Sequence, residues 1–183
     1  MKFEFTDRLR ADAKDTIRGL EKRGIACEIL SGDRLGPVAN IADEVGTSRW
    51  RAEIDPKAKV KILNSQRDHG LHVLMVGDGL NDAAALSAAH VSIAPATGID
   101  ATQAAADMVL RGASLAPIVE AVDVARKAKR LVFQNFAFAA LYNAVAIPAA
   151  AFGYVTPLVA SIAMATSSIL VTLNALRANS VRS

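Results

Sequence analysis

Charged residues are missing from one long stretch of this chain. Between Arg130 and Arg177 there is no Asp, Glu, Lys or Arg, and no Asp or Glu occurs anywhere after Asp123. The hydrophobic fraction of 52% is high for a soluble protein, and this stretch contributes much of the excess. We therefore predict two regions, a charged one over residues 1–125 and an apolar one over residues 126–183.

The chain also has little cysteine, and the net charge of its first region is small. Cys27 is the only cysteine, which excludes an internal disulfide and a metal site built from cysteines alone; we interpret it as a buried strand residue. Up to Arg130 the chain has 19 Lys and Arg against 18 Asp and Glu, a net charge of +1. This balance excludes the basic footprint of a nucleic-acid-binding protein. The first ten residues are too charged for a signal peptide.

Helical and strand patterns alternate along the first region. The predicted elements are helices over residues 11–22, 35–45, 56–67 and from about 82, and strands over 24–30, 72–76, 91–94 and 108–110. This order favours a parallel sheet covered by helices, a Rossmann-type α/β fold. Ligands of such folds bind at the carboxyl ends of the strands, where polar motifs begin at Ser31 and Gly77.

The second of these motifs, Gly-Asp-Gly-Leu-Asn-Asp at residues 77–82, has the ligands of a metal site. Asp78, Asn81 and Asp82 supply hard oxygen donors suited to magnesium, and the glycines let the backbone come close to a ligand. An ordinary Asp-Gly turn is the alternative. Such a turn normally joins two strands, whereas a helix is predicted to follow here.

The first motif and the lysines are less specific. Ser31 offers a hydroxyl and Gly32 a bare backbone N–H, which together can hold a phosphoryl oxygen, but Ser-Gly-Asp ending at Asp33 also occurs in many plain turns. Three lysines follow Pro56, at positions 57, 59 and 61. The pattern alone does not separate a phosphate-binding lysine from solvated ones.

Taken together, these motifs resemble the haloacid-dehalogenase-like phosphorylation domain of P-type ATPases. The resemblance implies that Ser31, Gly32 and Asp33 hold the phosphoryl group, that Lys59 neutralises it, and that Asp78 binds Mg²⁺. Asn81 and Asp82 would complete this site. The shared chemistry is phosphoryl transfer, which depends mainly on positioning and charge stabilisation.

One part of the family's machinery is absent from these 183 residues. P-type ATPases form an aspartyl phosphate within an Asp-Lys-Thr-Gly-Thr motif, and no such motif occurs here. The resemblance therefore implies a C-terminal fragment, inactive by itself. Its partners would be the nucleotide-binding domain, the actuator domain and the earlier spans of the same transporter, with a copper chaperone as a further candidate.

The apolar region is long enough for two membrane spans, at about residues 131–152 and 157–176. Basic residues flank both outer ends, so the positive-inside rule places the soluble part and the C-terminus in the cytoplasm. A buried hydrophobic hairpin of a soluble protein is the alternative. We expect a helical hairpin in a bacterial inner membrane.

Polar and sulfur-containing side chains within the spans suggest an ion path. Tyr142 and Asn143 fall near the middle of the first span, and Met164 and Ser168 lie four residues apart in the second. A thioether is a soft ligand suited to copper(I), although packing and helix–helix hydrogen bonds also explain these residues. Tyr-Asn and Met-x-x-Ser-Ser resemble the last two spans of copper-transporting members, close to the exporters associated with nitrogen fixation and respiratory oxidases.

The resulting expectation is part of an ATP-driven copper(I) exporter that requires Mg²⁺. Two other functions compete with it. One is a non-catalytic membrane-anchored remnant that binds a metal or a partner. The other is a stand-alone phosphatase of the same superfamily, which would need its own nucleophilic Asp.

Overall fold

The computed structural model describes residues 9–77, 80–96 and 100–177, and the chain divides into two units, Met1–Val119 and Glu120–Ser183. The boundary predicted near residue 125 falls inside a long helix, Ala116–Ala151, that is continuous across it. Asp78, the predicted magnesium ligand, lies outside the described residues.

The first unit alternates helices and strands. In chain order the elements are α1 (Ala13–Glu21), β1 (Ile29–Leu30), α2 (Leu35–Val45), β2 (Trp50–Arg51), α3 (Pro56–Asp68), β3 (Leu74–Val76), α4 (Ala83–Ala88), β4 (Val91–Pro95), α5 (Asp100–Ala105) and β5 (Met108–Leu110). A single turn of 3-10 helix, Leu80–Asp82, precedes α4.

The strands form two parallel sheets. β1 pairs with β2, with Ile29 opposite Trp50, and β4 lies between β3 and β5. Each neighbouring pair is joined through a helix, as parallel pairing requires. The prediction of a parallel sheet flanked by helices is confirmed.

Local sequence explains where the helices begin and end. The Asp55 carboxylate accepts a hydrogen bond from the Ala58 N–H at 2.6 Å, and Pro56 occupies the first turn of α3, where its missing N–H costs nothing. Gly46 ends α2 with a φ of 81°, a left-handed conformation that favours glycine. α3 is therefore fixed at the end that carries Lys59.

The core of the first unit lies beneath the helices. Val38 and Val45 of α2, Leu63 of α3 and Leu86 of α4 are almost fully buried, as is Ile93 of the central strand β4. Small alanines on α2, α4 and β4 pack among them. α3 and α4 are thereby held side by side, which brings Lys59 near the motif that follows β3.

One sequence prediction about the first sheet is wrong, and one strand of that sheet was not predicted. Cys27 is not a buried strand residue: it precedes the two-residue strand β1 and is half-buried, and its burial, followed by the charge of Glu21, raises the pKa of the thiol. β2 went unpredicted because Trp50 and Arg51 form no apolar run. Their pairing with β1 is a tertiary contact that local pattern does not report.

The second unit consists mainly of α6 (Ala116–Ala151) and α7 (Pro157–Leu176). Both helices are long and apolar enough to cross a membrane, and only 6% of each apolar window is buried inside the protein. At 1.5 Å per residue, the 20 residues of α7 span about 30 Å, the thickness of a bilayer core. This confirms the predicted pair of apolar helices.

A tight turn joins α6 to α7. Gly153 has a φ of 78° and its N–H donates to the carbonyl of Ala150, while the Thr156 hydroxyl accepts from the Val159 N–H and Pro157 opens α7. These are standard stop and start signals for helices. The turn therefore follows directly from the sequence Gly-Tyr-Val-Thr-Pro.

Candidate functional site

The two polar motifs that follow β1 and β3 open onto one cavity of about 700 Å³. The residues around it come from the end of β1, the loop before α3, α3 itself and the 3-10 turn. They are Leu30, Ser31, Gly32, Asp33, Glu53, Ile54, Asp55, Pro56, Lys59, Asn81 and Asp82. Apart from Asp78, which is not described, the structure thus brings every predicted phosphoryl-site residue to the edge of one cavity.

Lys59 is the lysine that faces this cavity. Its residue exposure is only 9%, whereas Lys57 and Lys61 are exposed. Its Nζ donates to Asp82 Oδ1 at 2.7 Å, and the Asp82 side chain is only 14% exposed. A lysine that remains charged at such depth needs a partner, which Asp82 provides. The ion pair joins α3 to the motif after β3.

Ser31 is oriented by its own loop. Its hydroxyl donates to Asp33 Oδ2 at 2.8 Å and accepts from the Asp33 N–H at 3.1 Å. Two backbone hydrogen bonds also hold the loop. The Glu53 N–H donates to the Asp33 carbonyl, and the Ile54 N–H donates to the Ser31 carbonyl. Asp33 therefore positions the serine hydroxyl, which would have to rotate to donate to a phosphoryl oxygen.

Gly77 allows the closest backbone approach in this site. A Cβ added there would lie 2.8 Å from Asp82 Cβ and 2.9 Å from Asp82 Oδ2, closer than real Cβ contacts. Its N–H donates to the carbonyl of Ile93, so the strand end cannot easily move aside. The glycine is thus required by the position of Asp82.

The charges around the cavity favour a cation together with an anion. Four carboxylates, those of Asp33, Glu53, Asp55 and Asp82, line it in the described part of the chain, against the single ammonium of Lys59. An anionic phosphoryl group would be repelled unless a divalent cation entered with it. Oxygen donors of this kind fit Mg²⁺. Within the described ranges no three His, Cys, Asp or Glu side chains converge as a preformed metal cage.

Comparison with known proteins shows which families this chain is similar to. A haloacid dehalogenase-like hydrolase model matches residues 2–90. The nitrogen fixation protein FixI of Rhizobium meliloti is 46% identical over 96% of this chain and 23% of its own length. A copper-exporting P-type ATPase of Mycobacterium tuberculosis is 40% identical over 93% of this chain and 22% of its own.

A solved structure agrees over nearly the whole chain. The crystal structure of a zinc-transporting PIB-type ATPase in the E2.Pi state matches 94% of this chain and 28% of that protein, with a TM-score of 0.90 and 34% identity. This chain is homologous to a segment of the heavy-metal P-type ATPases. It spans less than a quarter of the length of the two curated relatives described above.

The homology confirms the predicted fold class of a P-type ATPase segment. The first unit has the haloacid-dehalogenase-like fold and is followed by two apolar helices, as in the solved P-type ATPase. The names of the relatives include both copper and zinc, so the relatives do not share one metal.

The residues predicted to line an ion path lie on the surfaces of α6 and α7. Tyr142 is half-buried and Asn143 exposed on α6, while Met164, at 65% exposure, and Ser168 are both exposed on α7. Met164 and Ser168 lie one turn apart, but within the described ranges no hydrogen bond links either of them to Tyr142 or Asn143.

Asp55 had no role in the site predicted from the sequence, and Gly77 was predicted only to let the backbone come close to a ligand. Asp55 followed by Pro56 is a recognisable helix start, and it could have been identified as the residue that fixes the orientation of α3. The requirement for a glycine at 77 depends on Asp82, whose side chain approaches it only after the 3-10 turn forms. Spacing alone does not reveal that contact.

Proposed function

We propose that this chain forms the C-terminal part of an ATP-driven heavy-metal exporter and supplies half of its phosphorylation site. The observation that carries the proposal is the buried Lys59–Asp82 ion pair, placed at the cavity where β1 and β3 end. Homology to a copper-exporting P-type ATPase over 93% of the chain, and to a zinc-transporting PIB-type ATPase over 94%, supplies the reaction class.

Each residue of the cavity has a distinct role in this proposal. Ser31 and the Gly32 backbone N–H hold the phosphoryl oxygens, and Asp33 orients the serine hydroxyl. Lys59 neutralises developing negative charge, and Asp82 holds the ammonium at the required depth. The protein thereby provides preorganised charges, which lower the barrier because they need no reorganisation during the reaction.

Mg²⁺ would be held by Asp78, with Asn81 and Asp82 nearby. When bound, it would neutralise charge on the transferred phosphoryl group. The excess of carboxylates around the cavity supports this assignment, since it favours a divalent cation over an anion alone. ATP would reach the site through a nucleotide-binding domain outside this chain.

The aspartyl nucleophile would come from another segment of the same transporter. Among the described residues, β1 pairs only with β2 and β3 only with β4, so each strand has one unpaired edge. Val76 and Val91 of β3 and β4 are each 40% exposed. An additional strand ending in Asp-Lys-Thr-Gly-Thr between β1 and β3 would use both edges and deliver its Asp to the shared cavity.

We propose copper(I) as the transported ion, with Met164, Tyr142, Asn143 and Ser168 contributing to its path. The thioether of Met164 is a soft ligand, and residues 131–176 lack any Asp, Glu, Lys or His that would favour a harder cation. The partial or full exposure of these side chains on the second unit is compatible with contacts to further spans.

The proposed location is a bacterial inner membrane with the first unit and the C-terminus in the cytoplasm. Basic residues precede α6's uncharged stretch and follow α7, as the positive-inside rule requires. The nucleotide-binding and actuator domains and the earlier spans would be its partners, and a copper chaperone would deliver the ion.

The coding DNA upstream of residue 1 provides the first test. An open frame that continues into Asp-Lys-Thr-Gly-Thr, with Cys-Pro-Cys before it, is the expected result. A start codon with its own promoter and no upstream frame would contradict the proposal, because the nucleophile would then be missing.

Asp78→Ala in the complete transporter is expected to abolish phosphoenzyme formation from ATP, since the principal Mg²⁺ ligand is lost. Radiolabelled ATP and acid-stable trapping of the phosphoenzyme measure this directly. Asp68→Ala at the far end of α3 removes the same charge away from the cavity and should leave labelling unchanged. Normal labelling of Asp78→Ala would refute the assignment.

Met164→Leu keeps the volume of the side chain and removes only its sulfur. We expect phosphorylation by inorganic phosphate to remain, and the copper dependence of phosphorylation by ATP to be lost. Leu170→Ala, another exposed position on α7, serves as the control. Unchanged copper dependence in Met164→Leu would assign this residue to packing.

A further inference from the structure

Positive charge is concentrated where the apolar stretch of α6 begins. After Asp123 the chain contains six Lys and Arg residues and no carboxylate side chain. Four of the six fall between residues 126 and 130, and a fifth, Arg177, immediately follows α7. Both helices therefore place cations at the same end of the second unit.

Part of this charge surrounds a defined cavity of about 200 Å³. It is lined by Lys127, Arg130, Leu131 and Gln134 of α6 and by Arg177. The four α6 residues occur at positions i, i+3, i+4 and i+7, which is one face of a helix. No carboxylate lines the cavity among the described residues.

Hydrogen bonds hold Arg177 at this cavity. Its Nη1 donates to Asn174 Oδ1 at 3.3 Å, and Asn174 Nδ2 donates to Asn135 Oδ1 of α6 at 2.8 Å. Asn174 is only 8% exposed. A buried amide that bridges two apolar helices fixes their register, so the guanidinium is positioned by the fold and does not merely sample solvent.

We propose that this cavity binds the phosphate of an anionic phospholipid headgroup. Two guanidinium groups, one ammonium and one amide offer the donors that a phosphate diester accepts, and arginine suits phosphate geometry. Leu131 forms the apolar wall, and the exposed apolar surface beyond it includes Val132 and Phe133, at 51% and 64% exposure. Acyl chains could follow that surface, which a free phosphate would leave uncovered.

The lipid would tie the basic end of the hairpin to the membrane surface. The inference requires α6 and α7 to lie in a bilayer, and it does not require phosphoryl transfer or copper binding by the chain. Its failure would therefore leave the proposed function untouched.

The association of spin-labelled lipids with the full chain tests this proposal. The chain is reconstituted in phosphatidylcholine bilayers, and electron paramagnetic resonance measures the motionally restricted fraction of labelled phosphatidylglycerol and phosphatidylcholine. We expect a preference for phosphatidylglycerol that falls about tenfold in Arg130→Gln and in Lys127→Gln, since each variant loses a charge-assisted hydrogen bond to the headgroup phosphate. Arg130→Lys keeps the charge but loses the planar pair of donors, so it should retain part of the preference.

Lys129→Gln is the matched control, because it removes one charge from the same helix turn outside the cavity. It should change the preference less than twofold. Equal losses in Lys129→Gln and Arg130→Gln would mean diffuse surface attraction and would overturn the site. Inorganic phosphate is then added, with ionic strength held constant by chloride. If the preference for phosphatidylglycerol is lost, the cavity binds free phosphate, and the lipid assignment is overturned.

Discussion

Lys59 differs from its neighbours Lys57 and Lys61 in burial and partner, although all three lie on the first turns of α3. Only Lys59 points inward to Asp82, 23 residues further along the chain. Removal of either member of so buried a pair costs about 3–5 kcal/mol, because the remaining charge has no compensation. The pair is therefore a structural requirement as well as part of the proposed phosphoryl site.

Substitution of Gly77 tests how tightly the side chain of Asp82 is packed. Gly77→Ala would force a methyl group to within 2.8 Å of Asp82 Cβ, displace the carboxylate and weaken its contact with Lys59. We expect the free energy of unfolding to fall by about 1–3 kcal/mol, the usual cost of overpacking. Fluorescence of Trp50, the only tryptophan, reports unfolding of the first unit.

The control for this substitution is Gly36→Ala in α2. Nothing lies within 4 Å of a Cβ added at Gly36, and alanine there should leave stability unchanged or raise it by up to about 1 kcal/mol. Gly77→Ala should thus lower the free energy of unfolding, whereas Gly36→Ala should not. An unaltered stability of Gly77→Ala would mean that Asp82 is not held against this glycine.

At the scale of residues, the sequence selects candidates where a motif is specific. The motif at 77–82 is enough to select Asn81 and Asp82, whereas Ser31 was selected through resemblance, and the structure brings all three to one cavity. Lys59 could be selected only through resemblance, because burial of one lysine among three depends on how α3 packs on α4. That information lies in tertiary contacts and not in the local pattern.

At the scale of elements, the start of α6 is fixed by a residue from the opposite end of the first unit. The Asp12 carboxylate accepts from the Ser114 hydroxyl at 2.6 Å and from the N–H groups of Leu115 and Ala116. It therefore caps a helix more than one hundred residues away in sequence. The Ser114 hydrogen bond, ahead of the two backbone contacts that also act in this direction, lowers the pKa of Asp12.

This cap predicts a pH-dependent contribution to stability. Because the folded-state pKa lies below the ordinary value, the ionised form is stabilising, and the contribution is present near neutral pH and lost as pH falls through the folded value. Asp12→Asn should therefore unfold at a lower temperature than the wild type at pH 7, and the gap should close below about pH 4. Thermal unfolding across this range measures the effect.

Asp15→Asn is the matched control, since Asp15 is an exposed carboxylate on α1 one turn away. Its unfolding temperature should follow that of the wild type at every pH. Hydrogen exchange at Leu115 and Ala116 should speed up only in Asp12→Asn. A gap between Asp12→Asn and the wild type that does not narrow as the pH falls below the ordinary pKa of aspartate would contradict the capping role.

Sequence patterns locate most elements because apolar periodicity and helix signals are local. α2 and β5 have the predicted bounds, and α3 differs by one residue. β1 is much shorter than predicted, since residues 24–28 form no strand pairing despite their largely apolar run. β2 and the Asp12 cap escaped prediction because both depend on contacts between distant parts of the chain.

At the scale of the whole molecule, the chain combines the cavity of the proposed phosphoryl site with two apolar helices. Composition alone separates these two regions, since charge stops at Arg130 and resumes at Arg177. The ion path is less predictable. The proposed metal site at Met164 would depend on further spans, and no pattern within α6 and α7 specifies the arrangement of such spans.

The central claim is that Lys59 serves a phosphoryl group in the complete transporter. Phosphoenzyme formed from ATP should fall about a hundredfold in Lys59→Met, because a preorganised charge is lost from the site. Lys61→Met removes an exposed lysine from the same helix and should label like the wild type.

Lys59→Met is compared with the double variant Lys59→Met/Asp82→Asn, which restores charge balance in the buried pair, so the difference in stability between the two measures the cost of leaving Asp82 unpaired. We predict that the double variant is more stable than Lys59→Met and equally unable to form phosphoenzyme. Normal labelling of a folded Lys59 variant would contradict the account.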